Sequence, residues 1–109
     1  MDYSDVYPVK RAKISHGGDP VQQAIVAAVS GKSIVVLSYV LTGTADGTGI
    51  WESASTDLTG AMHFQEDGGC QIVAPHNPKG WLATTAGEAL NITSSGIAIN
   101  GHVNYVEVG

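Results

Sequence analysis

The stretch Ser33 to Thr42, SIVVLSYVLT, decides the fold class. It is a run of β-branched and aliphatic residues with one Tyr, and it carries none of the Glu, Lys, Gln or Arg that fill exposed helix faces. Read as a strand, it puts Val35, Leu37, Tyr39 and Leu41 on one face and Ile34, Val36, Ser38 and Val40 on the other. The first face is wholly apolar and is expected to be core; the second is interrupted only by Ser38. A strand apolar on both sides in a chain of 109 residues implies that something covers its outer face, either the chain's own N-terminal segment or a neighbouring subunit.

Upstream, Gly31-Lys32 reads as a turn, and Val21 to Ser30, VQQAIVAAVS, fits a helix by its Ala and Gln or a strand by its Val and Ile. Strand, turn, strand is the economical reading. Downstream, the loop Gly43 to Gly49 (GTADGTG) and the turn Thr56 to Gly60 bracket a strand at Ile50 to Ser55, and Met62 and Phe64 alternate toward one face. A strand at Cys70 to Ala74 ends at the stiff connection Pro75 to Gly80, and Trp81 to Thr85 and Ala89 to Ser94 follow as strands. Ile97 to Val108 reads either as a hairpin about Asn100-Gly101 or as one long strand with a bulge at Gly101, and the long strand is favoured. The pattern predicts an all-β fold: a single jelly-roll-like β-sandwich of seven or eight short strands over residues 21–109.

Residues 1–20 read as an extended N-terminal arm, with Pro8 and Pro20 breaking regular structure and Gly17-Gly18 as a flexible joint. Up to Lys13 the charge balance is +1; over the rest of the chain it is −6. An arm with a basic cluster and scattered aromatics suits docking on an acidic protein surface, and Tyr3, Tyr7, Val9, Lys10, Arg11 and Lys13 are its candidate contacts. The acidic body argues against nucleic acid as a direct partner.

Cys70 is the only cysteine, so no internal disulfide or multi-cysteine zinc pattern can form. The opening MDYSDVYPVKRAK has no apolar signal core and no run approaches a membrane span, so the expected setting is a soluble compartment without membrane contact.

No constellation predicts an enzyme or a cofactor. Gly31-Lys32-Ser33 matches the end of a phosphate-binding loop, but Val26 stands where its first Gly belongs. His16, His63, His76 and His102 lack metal-ligand spacing. Asp46 and the Glu66-Asp67-Gly68 turn lack the alternating acids of a calcium loop. Glu52 and Glu88 read as surface residues, with no sign of the two-acid cleft that glycoside hydrolysis needs. Among the large aromatics, Trp81 and Tyr105 are expected in the core, which leaves Trp51, together with His76, as the candidate ligand-facing pair.

Three pieces of the chain carry a resemblance: Asn77-Pro78-x-Gly80-Trp81, then Thr85 to Asn91 (TAGEALN), and the closing Gly101-His102-Val103-x-Tyr105-Val106-Glu107-Val108. With AIVAAVSGKSIVVLSYVL and TDLTGAM, the stretch Ala24 to Val108 resembles small β-sandwich structural proteins of tailed bacteriophage virions. The segment Met1 to Asp19 and the GTADGTG loop depart from the simplest members. The resemblance implies a head decoration or cement protein without an enzymatic step. It implies the major capsid protein as partner, a homo-oligomer (a trimer being one option) on the capsid exterior, and assembly in the host cytoplasm. The alternative function is a carbohydrate-binding or host-recognition module of a phage tail or capsid exterior.

Overall fold

The computed structural model describes residues 2–66 and 71–109. Two antiparallel sheets pack face to face as an all-β sandwich. The described elements are a single helical turn α1 (Tyr3–Val6) and ten strands. These are β1 (Lys10–His16), β2 (Gln22–Val26), β3 (Ser33–Gly43), β4 (Gly47–Ser53), β5 (Thr56–Asp57), β6 (Met62–Phe64), β7 (Gln71–Ala74), β8 (Leu82–Ala83), β9 (Leu90–Ser94) and β10 (Ile99–Val108). Sheet A runs β1-β10-β3-β7 with β8 also on β3; sheet B runs β2-β9-β4-β5 with β6 also on β4. The predicted strand Cys70 to Ala74 is observed from Gln71; Cys70 lies outside the described residues, as do Asp67, Gly68 and Gly69 of the acidic turn.

Between the sheets, Ile14, Val36, Leu41, Trp51, Phe64, Leu90, Ile92, Ile99 and Val103 form one buried cluster. Burying a side chain of this size contributes roughly 1.5–3 kcal/mol, which is why the inward faces of six different strands converge on it. Ser33–Gly43 is a strand as expected, but its faces are not the simple alternation. Asn104 pairs with Ser38 while Tyr105 pairs with Val36, so Leu37 is an extra residue on β3, a bulge that shifts the phase. Ile34 and Val36 therefore join Tyr39 and Leu41 on the core side, whereas Val35 and Leu37 turn outward and pack with Val106 in a second cluster. The last strand is one long element, as expected, yet its register runs unbroken through Gly101. Glycine is required there because a Cβ would sit 1.8 Å from the Val40 carbonyl oxygen, with φ at 149°.

The N-terminal residues correct the expectation of an extended arm ahead of a domain that begins at Val21. Lys10–His16 is the edge strand of sheet A, paired with β10 from Lys10↔Tyr105 to His16↔Ile99. Ala12 packs on the core, and Ile14 and His16 are each 1% exposed. The Gly17-Gly18 joint is a fixed turn: Gly18 N–H donates to His16 Nδ1 at 3.0 Å, and His16 Nε2–H, the tautomer this requires, donates to the Val21 carbonyl at 2.8 Å. The turn carries the chain from sheet A to sheet B.

Candidate functional site

Of the six expected docking residues, two serve the fold. Tyr3 and Tyr7 are half-buried over Val35, Leu37 and Val106, their rings 6.4 Å apart, and Tyr3 N–H is tied to the Pro78 carbonyl at 2.9 Å. They cover the Val35 and Leu37 end of the outer face of β3, so the covering expected there comes from the chain itself. Val9, Lys10, Arg11 and Lys13 are exposed, as is Val6. Lys10 Nζ meets the Glu107 carboxylate at 2.5 Å, and that hydrogen bond and charge hold its pKa above the ordinary lysine value. Arg11 and Lys13 alternate with the inward Ala12 and Ile14 and so point to the outer face of sheet A; Arg11 Nε donates to Asn104 Oδ1 at 3.3 Å. Across that face lie His102 and Asn104 of β10, Val40 of β3, and Val73, 58% exposed, on β7.

The ligand-facing pair is corrected at Trp51. Its strand β4 lies between β9 on one side and β5 and β6 on the other, so an inward side chain there is enclosed from both sides. Trp51 is 0% exposed and meets Tyr39 edge-on with centroids 5.3 Å apart. Burial pushes the Tyr39 phenol pKa up. His76 is exposed in the Pro75–Gly80 connection.

The exposed tryptophan is Trp81, at 49%, and not the core residue that was expected; Tyr105 does pack on the core. Trp81 lies where an edge strand is interrupted: β7 pairs with β3 up to Tyr39↔Ala74, β8 resumes at Val36↔Leu82, and residues 75–81 loop out between them, opposite the Leu37 bulge. The loop is fixed by hydrogen bonds. Asn77 N–H donates to the Leu37 carbonyl at 2.8 Å, Gly80 N–H to the Asn77 carbonyl at 2.9 Å, Asn77 Nδ2 to the Gly80 carbonyl at 3.2 Å, and Lys79 N–H to Asn77 Oδ1 at 3.0 Å. The Trp81 backbone N–H donates to the Val36 carbonyl at 2.8 Å and its indole N–H to the Pro75 carbonyl at 2.7 Å. Beside the indole is an open cleft of about 210 Å³, lined by Tyr3, Val35, Lys79, Gly80, Trp81 and Ala83 among others. Gly80 has φ 84°, and a Cβ there would lie 2.5 Å from Val35 Cγ1, so this position keeps the cleft floor clear.

No family model matches this chain, and no curated protein matches it.

The outer face of sheet B carries a polar group that sequence reasoning missed. Glu52 is 7% exposed, not a surface residue; it accepts from Gln22 Nε2 at 2.8 Å and from the Thr93 hydroxyl. The Ala54 carbonyl accepts from Gln22 Nε2 at 2.8 Å and Asn91 Nδ2 at 2.9 Å. Asp57 stands directly opposite Glu52 across the β4–β5 pair. Desolvation pushes the Glu52 carboxyl up, but the hydrogen bonds from Thr93, Gln22 and Asp57 together outweigh it and leave the group below the usual carboxylate range. Asp57 is pushed up, chiefly by its hydrogen bond to Glu52, with desolvation and the Glu52 charge adding to it. Glu88, the other candidate acid, is half-buried and accepts from Ser53 Oγ at 2.6 Å. Among the described residues, no three His, Asp or Glu side chains converge as metal ligands would.

Proposed function

We propose that the chain is a bacteriophage capsid decoration (cement) protein that binds the outer surface of the major capsid protein shell and stabilises the head. The observation that carries this reading is the exposed run Val6, Val9, Lys10, Arg11 and Lys13. Three of the chain's five basic residues stand here on the edge strand of an otherwise acidic molecule, Arg11 and Lys13 facing outward and Lys10 paired with Glu107, and two half-exposed valines precede them. Such a strip complements an acidic protein surface, with apolar contacts at its N-terminal end. Each copy would add contact area across neighbouring capsid subunits, and many copies would offset the pressure of packaged DNA.

Strand order supports the same class of host fold. β1-β10-β3-β7 and, taking β6 on β4, β2-β9-β4-β6 take matching places in the two sheets, an order that fits a jelly roll, the architecture of capsid and lectin domains. Architecture alone does not assign a task, so the resemblance of Ala24 to Val108 to virion structural proteins supplies the setting.

The test is occupancy of head particles assembled without this protein, measured by co-sedimentation. Arg11→Glu/Lys13→Glu is expected to abolish binding while shifting unfolding stability by no more than about 0.5 kcal/mol per site, because both side chains are exposed. Full occupancy by this variant would overturn the reading.

A further inference from the structure

We propose that the Trp81 cleft is a binding site for an acidic saccharide, a pyranose ring carrying a carboxylate. The cleft is smaller than the roughly 300–1,000 Å³ sites that enclose drug-sized ligands, so it takes one ring. It is also open, so the bound ring keeps one side in water. The ligand must therefore have one apolar face and a hydrated remainder, which a pyranose has and a flat aromatic molecule lacks.

The shelf for the apolar face is Trp81. Half of its surface is exposed, and its indole N–H is already bonded to the Pro75 carbonyl, so the ring is held in place and offers its carbon surface and not a donor. Tyr3 closes one side of the cleft and is itself anchored to the same loop through Pro78. The Asn77 hydrogen bonds fix Lys79, Gly80 and Trp81 relative to one another before any ligand arrives, which lowers the ordering cost of binding.

The acid is selected by Lys79. It forms no ion pair among the described residues, and it is a cation on a body whose charge after Lys13 is strongly negative. Lys79 lines the cleft together with Trp81, and its positive charge favours a ring with a carboxylate over its neutral counterpart. The site is separate from the Arg11–Lys13 strip, so it stands or falls independently of shell docking.

The test is a ¹H–¹⁵N NMR titration of the whole chain with methyl β-D-glucuronide, methyl β-D-glucoside and a tri-glutamate peptide. The glucuronide is expected to shift the Trp81 indole and the amides of residues 79–83 saturably, with a dissociation constant on the order of 1–10 mM. It should bind roughly fivefold tighter than the glucoside, as a partly solvated ion pair allows. Trp81→Ala should remove binding, and Lys79→Gln should equalise the two sugars, with the buried Trp51 indole signal unmoved in both as the check that the fold is intact. Three results would each overturn the assignment: no saturable shift with the glucuronide, equal affinity for the two sugars in the unaltered chain, or saturable binding of the peptide alone.

Discussion

Over sheet A, the outward residues Val35, Leu37 and Val106 are covered by Tyr3 and Tyr7; over sheet B, the outward residues Gln22, Glu52, Asn91 and Thr93 are tied to one another or to the Ala54 carbonyl. One face is closed with carbon, the other with hydrogen bonds. The difference follows from the strands. β3 is apolar on both sides and must be covered, and α1 is short enough to do so without hiding the basic edge strand that follows it. β4 carries Trp51 inward and Glu52 outward, so its outer side is already polar and needs donors, not a cover.

The comparison can be broken most sharply at Leu37. Although it sits on the outer side of sheet A, it is 0% exposed, and Leu37→Ala should cost about 2–5 kcal/mol in urea unfolding, as a core deletion does. A loss below about 1 kcal/mol would mean that the Tyr3 and Tyr7 cover is not closed. Next in size, Tyr3→Ser/Tyr7→Ser should cost roughly 2–3 kcal/mol and expose an apolar patch, seen as dye binding and self-association in scattering. On the opposite face, Thr93→Ala removes one of the donors to Glu52 and leaves Gln22 in place, so the loss should be only about 1 kcal/mol.

The all-β sandwich was legible because Ser33–Gly43 and the long final strand have unambiguous β composition and turn-bounded neighbours. The faces of β3 were not, because the bulge at Leu37 is set by the register of β10, a contact between distant segments. The edge strand Lys10–His16 did leave a signal: Ala12, Ile14 and His16 alternate with Arg11, Lys13 and Ser15, a period of two masked by charge on the solvent side. Trp51 and Trp81 could not be ranked from sequence, since burial depended on which strand would be central and which interrupted. The Glu52–Asp57 pair was hidden by its turn. Ala54 adopts φ 51° between them without the Gly or Asn that marks such turns, and the turn was expected at Thr56 to Gly60 instead.

That pair gives the smallest effect and the one with a sign. Asp57 has its pKa raised in the folded chain, so its contribution is full below the ordinary aspartate value of about 4 and is lost as pH rises through the raised value. Glu52 has its pKa lowered, so its contribution is present above the ordinary glutamate value of about 4.3 and is lost as pH falls through the lowered one. At neutral pH both are ionised, and Asp57 faces Glu52 as a like charge where, protonated, it was a donor. Asp57→Asn supplies a neutral donor at every pH. Its melting temperature should therefore exceed that of the unaltered chain at neutral pH, and the gap should close as pH falls through the raised Asp57 value, where the native carboxyl takes up its own proton. A gain that persists unchanged in acid would come from the edge strand itself and not from the carboxyl pair, and equal melting temperatures at neutral pH would mean that solvent already separates the two charges.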